Sequence, residues 1–343
     1  MNSDPRIVLA GRSKARASSR RLGLFTGMAV LSISLCLAQD SVPSSGPQVL
    51  EAAEKSPKAA RGLLLDVAST GERLVAVGER GNIVASRDGR RWAQVEVPVR
   101  VTLTAVTFAS PTQGWAVGHD VTILHTSDGG RSWDLQHQDV ARQQPLLDVL
   151  FLDELQGFAA GAFGMLFATI DGGQTWNEVD APVLKEDNFH LHSLTRLRNG
   201  SLLIAGERGL LAWSADGVHW AKLASPYEGS FFGAVSRGDA GVIVFGLRGN
   251  TFVADDTRAP QWRKLEVQST RTLFAGSTLE DGSTVLVGAD GAVVLVRPDD
   301  LVEDKSMKAR AAERVGGTLS AIVPWQGQLV TVGELGIQPY AVQ

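Results

Sequence analysis

The sequence predicts an all-β fold, a seven-bladed β-propeller, on three observations. A short apolar strand closing in Gly recurs seven times at near-constant spacing. The first four of those strands are followed by a Ser/Thr, an Asp-Gly turn and a Trp. Between these marks the chain reads as short strands and turns. The closing glycines are residues 78, 118, 161, 206, 246, 288 and 333, with successive differences of 40, 43, 45, 40, 42 and 45. Four strands and their turns consume about 40–45 residues, the length of one propeller blade. Two β-sandwich domains sharing turn chemistry by chance have no reason to hold that spacing seven times.

The best-preserved hairpin is Phe167-Ala168-Thr169-Ile170-Asp171-Gly172-Gly173-Gln174-Thr175-Trp176. Its Asp accepts hydrogen bonds from the turn's own amides, the Gly pair permits positive φ, and the Trp starts the returning strand where its indole can be buried. Asp128 with Trp133, Asp88 with Trp92, and Asp216 with Trp220 repeat the device, and a worn copy ends at Trp262. These residues are read as structural.

Taken in order, the chain opens with Arg6, Arg12, Lys14, Arg16, Arg20 and Arg21 against Asp4 alone, followed by an apolar run from Leu22 to Ala38. That pattern predicts a signal peptide over 1–38, cut after Cys36-Leu37-Ala38, with retention as an anchor the other reading. Cys36 is the sole cysteine, so a chain cut there has neither disulfides nor thiol chemistry. Residues 39–62 read as a linker rich in Ser, Pro, Ala and Lys. The propeller is predicted over 63–343, with blades starting at Leu63, Leu103, Leu146, Leu191, Phe231, Leu273 and Leu319. Glu303 to Arg314 reads as a loop, a helical turn or the displaced outer strand of blade six. Blade seven has room for about three strands before Gln343, and its fourth is expected from residues 42–60.

Composition is that of a globular protein, 44% hydrophobic and 20% charged. Of 33 Lys and Arg six leave with the leader, and of 37 Asp and Glu one leaves. The remainder is 27 against 36, a net charge of −9. An acidic chain without a nucleic-acid motif is a poor match for nucleic acid, and for an anionic membrane surface unless it segregates a basic patch.

Residues just after each closing Gly are equivalent by repeat, so a ring sets them at one height around its channel. Arg80, Arg208 and Arg248 occupy this place and form a candidate guanidinium cluster for a partner's carboxylates or carbonyls. The competing reading has each Arg cap a turn or pair with a neighbouring Glu among Glu79, Glu207 and Glu334. Tyr227, Glu228, Phe231 and Phe232 open blade five, with one Phe in the core and the other an exposed anchor for a partner. His190 and His192 share a strand face without a third ligand at recognisable spacing, so no metal is expected, and no cofactor.

With the repeats placed, the chain resembles the BNR-repeat, Asp-box propellers of the photosystem II stability and assembly factor family, in its non-photosynthetic bacterial branch. The likeness rests on Leu74-Val75-Ala76-Val77-Gly78-Glu79-Arg80-Gly81, Gly114-Trp115-Ala116-Val117-Gly118-His119-Asp120, Pro226-Tyr227-Glu228-Gly229-Ser230-Phe231-Phe232-Gly233 and Phe245-Gly246-Leu247-Arg248-Gly249-Asn250. The resemblance implies an exported, monomeric, non-catalytic propeller in the periplasm, or the thylakoid lumen of a photosynthetic source. Its implied partner is an integral membrane protein, here the extracytoplasmic face of a transporter such as a resistance-nodulation-division exporter, with Arg80, Arg208 and Arg248 carrying the contact. The alternative is a glycan-active or glycan-binding propeller. Sialidase-like members imply three Arg with a Tyr nucleophile poised by a Glu, for which only Tyr227 beside Glu228 is on offer, and consecutive strand residues face opposite ways.

Overall fold

The computed structural model describes residues 51–306 and 317–340. The expected leader and residues 39–50 of the linker lie outside them. Six antiparallel sheets of four strands and one of three follow one another in sequence order. Blade one is Leu64–Ser69, Leu74–Gly78, Ile83–Ser86 and Ala93–Gln94. The first strands of the blades pack side by side around a central channel, and that of blade seven, Leu319–Trp325, packs against that of blade one to close the ring.

The second strand of each blade is buried on both faces, as in Leu74–Gly78 and Thr284–Gly288. Such a strand needs apolar residues throughout, which is why these segments read as unbroken apolar runs ending in Gly. Each junction between blades holds its own core. Trp115 of blade two stacks on Phe151 of blade three, ring centroids 3.4 Å apart, and donates its indole N–H to the Gly172 carbonyl at 3.2 Å. At the junction of blades seven and one the core is divided, with Leu64, Ala76 and Val332 in one cluster and Leu74, Trp325 and Val330 in another.

Every first strand carries a β-bulge at its second residue. In blade one Leu64 lies opposite Gly78 and Asp66 opposite Val77, and the same break recurs in the other six. The bulge turns side chains such as Leu65, Leu147, His192, Phe232 and Phe274 into the channel, a cavity of about 250 Å³.

The expected ring-closing strand is not found in residues 51–60, and residues 42–50 lie outside the described residues. Blade seven has three strands among the described residues, ending in Gly336–Tyr340. Residues 51–61 instead form a strap. It runs along blade one, where Ala53 donates to the Val97 carbonyl (3.0 Å) and Ser56 to Gln94 Oε1 (2.7 Å), and ends in a 3-10 turn, Ala59–Arg61, packed on the last strand of blade seven. Blade six takes Val302–Asp304 as its outer strand, which includes only the first two residues of the Glu303 to Arg314 segment, and 307–314 lie outside the described residues.

Candidate partner-binding face

The ring has two faces of different chemistry. On one lie the Asp turns. Asp88 Oδ1 accepts from the amides of Arg90 and Arg91 (2.9 and 2.8 Å), and Asp216 Oδ1 from those of Val218 and His219 (2.9 and 2.8 Å). Asp128 and Asp171 are held likewise, at 2.8 Å from the Arg131 amide and 2.9 Å from that of Thr175. Trp92 and Trp220 return their indole N–H to the Gly of their own turn. Of the four turn Trp only Trp133 is fully buried, and Trp92, Trp176 and Trp220 are half-buried between blades.

On the other face the turns between second and third strands meet the connectors between blades. The packing is tight enough that a Cβ on Gly81 would fall 2.1 Å from the Val99 carbonyl oxygen, and on Gly209 2.0 Å from that of Tyr227. Arg80, Arg208 and Arg248 stand at the tips of these turns in the left-handed region, at φ 56°, 52° and 59°. A residue with a Cβ accepts that backbone at a cost of about 1 kcal/mol or more.

All three arginines are exposed, and none of their guanidiniums makes an ion pair or hydrogen bond among the described residues. Arg208 does approach the face of Phe189, at 5.8 Å. The glutamates expected to balance them are engaged elsewhere. Glu79, Glu207 and Glu334 accept the amides of Leu63, His190 and Thr318, at 3.3, 3.2 and 3.3 Å, and pin the start of a first strand.

The three arginines share a face but do not form one cluster. Arg208 and Arg248 belong to adjacent blades four and five, whereas two whole blades separate them from blade one in either direction. Arg80 there lines a separate groove of about 320 Å³ with Lys58, Gln94 and Arg100. Tyr227 braces the turns of Arg208 and Arg248 against each other. Its backbone packs on Gly209, its ring lies against Phe231 and Phe252 (centroids 5.9 and 6.2 Å), and its hydroxyl reaches toward the Leu247 carbonyl at 3.5 Å. Glu228 is exposed and makes no hydrogen bond or ion pair among the described residues, and it does not meet the Tyr227 hydroxyl.

Of the two phenylalanines only Phe232 departs from expectation. Phe231 is fully buried and is core. Phe232, at the bulge, is not an exposed anchor but lines the channel, stacked on His192 at 4.8 Å and tilted on Phe274 at 5.2 Å. His192 Nδ1 lies 2.8 Å from the Phe231 carbonyl oxygen, and His190 Nδ1 accepts the Phe163 amide at 3.2 Å. Sequence reading passed over the apolar residues of the same face: Phe163, Leu247 and Leu335 are exposed at the equivalent turns. Their shared place in the repeat was the available signal.

A family model described as photosynthesis system II assembly factor YCF48 matches residues 84–326. Among curated proteins, the chain is 33% identical over 94 residues to the chloroplastic photosystem II stability/assembly factor HCF136 of Cyanidioschyzon merolae, spanning 25% of this chain and 22% of that one. It is 40% identical over 47 residues to the photosystem II assembly protein Ycf48 of a Synechococcus, 13% of this chain and 14% of that one. Among solved structures, YCF48 bound to D1 peptide superposes with a TM-score of 0.67 at 18% identity, covering 88% of this chain and all of that one. YCF48 from Cyanidioschyzon merolae gives 0.66 at 16%, covering 84% and 97%. These structures share the fold.

Proposed function

Because this chain belongs to the YCF48 family of photosystem II assembly factors, we propose that it is an exported, non-catalytic propeller that holds a segment of an integral membrane protein against its connector face during assembly of that protein's complex. The observation that carries the reading is the pair Arg208 and Arg248, two exposed guanidiniums without a counter-charge among the described residues, on adjacent blades and held apart by the packed Tyr227. Planar guanidiniums on a fixed frame suit the carboxylates and carbonyls of an extended peptide. Exposed Leu247 beside Arg248 adds apolar contact. A family member solved with a D1 peptide supports a peptide as the thing held.

No helix among the described residues is long and apolar enough to cross a membrane. In a photosynthetic source the site of action would be the thylakoid lumen, and elsewhere the periplasm, where the extracytoplasmic part of a transporter of the resistance-nodulation-division class is the partner we favour. Affinity capture from detergent-solubilised membranes tests the reading. The wild type should recover an integral membrane protein, and Arg208→Glu with Arg248→Glu should lose it. Recovery unchanged by the double variant, or release of product from a panel of chromogenic sugars, would overturn it.

A further inference from the structure

On the Asp-turn face, at the junction of blades one and two, lies a cavity of about 410 Å³ walled by Arg73, Arg87, Arg91 and Arg131, with Asp88 as its one carboxylate and Ala85 and Val95 among its apolar residues. Arg73 precedes the second strand of blade one, its amide on Thr70 Oγ1 at 3.1 Å and its carbonyl accepting from the Thr70 amide at 2.9 Å. It is only 9% exposed, yet its guanidinium makes no hydrogen bond or ion pair among the described residues. Burial, then the like charges of Arg131 and Arg87, press its pKa down, ahead of any help from Asp128 and Glu72.

Of the nearby carboxylates, Asp88 and Asp128 are already engaged, while Glu72 is exposed and forms no ion pair with Arg73. Asp88 holds two amides through Oδ1 and the Arg91 Nε through Oδ2, and Asp128 holds the amides of Arg131 and Ser132 and the hydroxyls of Thr126 and Ser132. Arg73 is mostly buried as a residue, but its guanidinium opens on the cavity beside two more cations, an arrangement that is unfavourable unless a counter-charge arrives from outside. Three cations converging on one small cavity call for a compact anion with more than one charge and several acceptor oxygens.

We infer that this cavity binds a phosphate-class dianion, with Arg73 at its base and Arg87 and Arg131 at its rim. The group is carried either by a small soluble phosphate or by an anionic phospholipid headgroup. The site is independent of the connector face.

Thermal melting at low ionic strength, titrated with inorganic phosphate against chloride of equal ionic strength, tests it. The wild type should gain roughly 5 °C at saturation. Arg73→Met should abolish that gain and, without phosphate, melt at or above the wild type, because an unpaired cation crowded by Arg87 and Arg131 has gone. Arg248→Glu should respond like the wild type. Should Arg73→Met fail to fold, the exposed pair Arg87→Gln with Arg131→Gln carries the same expectation. Sedimentation with phosphatidylcholine vesicles containing phosphatidic acid separates the sources, since a headgroup site adds Arg73-dependent vesicle binding that a soluble-phosphate site lacks. A phosphate response equal in wild type and Arg73→Met, or none beyond chloride in the wild type, overturns the inference.

Discussion

Asp66 and Asp148 reach neighbouring blades from the wall of the channel. Asp66 accepts the Val67 and Val106 amides at 2.8 Å each, and Asp148 those of Val149 and Leu194 at 2.8 and 2.7 Å. Burial dominates both, raising Asp66 to about 6 and, with the Asp66 charge as a further push, Asp148 to about 7. An unfolded aspartate ionises near 4. Below that pH both states are protonated and the pair contributes nothing. As pH climbs from about 4 toward 6 for Asp66 and 7 for Asp148, the unfolded chain releases these protons while the ring still holds them, so stability falls across that window by on the order of 3 kcal/mol per group and levels off above it. Melting temperature should therefore drop from pH 5 to pH 8. Asp66→Asn with Asp148→Asn should flatten the drop while lowering stability at pH 5, because an amide nitrogen cannot accept the second backbone N–H. A wild type flat over this range would refute the assignment. Neither carboxyl stood out in the sequence, because each is placed by the bulge one residue earlier, and a bulge leaves no mark in the apolar pattern. Phe232 was misplaced for the same reason. Arg73 was invisible because the arginines that make its surroundings come from another hairpin and another blade.

Hairpins were far more legible, since their chemistry is complete within a few residues. Thr126 donates to Asp128 and accepts the Gly130 amide at 2.9 Å, and Thr169 serves Asp171 and Gly173 in the same way. Both hydroxyls are buried. Thr169→Val keeps the shape and orphans the Gly173 amide, which should cost about 1–3 kcal/mol in denaturant unfolding; a cost near zero would mean the turn holds without it. The closing glycines have an equally local cause. A Cβ at Gly288 would sit 2.0 Å from the Thr272 carbonyl oxygen, and at Gly78 2.1 Å from that of Leu63, where only backbone could yield. Gly288→Ala should destabilise by about 3 kcal/mol, and an unchanged midpoint would show that the connector relaxes freely. Where the Asp turn is absent, Asp300 of blade six takes Arg237 and Arg263 of blade five instead. Those partners are dozens of residues apart, so no local pattern announced them.

At the scale of the whole ring, the repeat spacing gave the blade count, while closure was legible only as a need. The strap answers part of that need. Asn82 Nδ2 donates to the Ala59 carbonyl at 2.7 Å, and a Cβ on Gly336 would meet the Ala60 carbonyl oxygen at 2.2 Å, so the strap is seated on both blades of the divided junction. Deleting residues 51–61 should lower the melting temperature by roughly 5–10 °C; no change would deny it a part in closure. The ring offers two faces, and function is assigned to one of them. Arg248 marks the connector face, and Val218, exposed in an Asp turn, marks the other. Photo-crosslinking in intact cells, from a reactive amino acid placed at 248 or at 218, tests that assignment most directly. Position 248 should capture an integral membrane protein, and position 218 should leave it uncaptured. Capture of that protein from 218 alone would contradict the assignment.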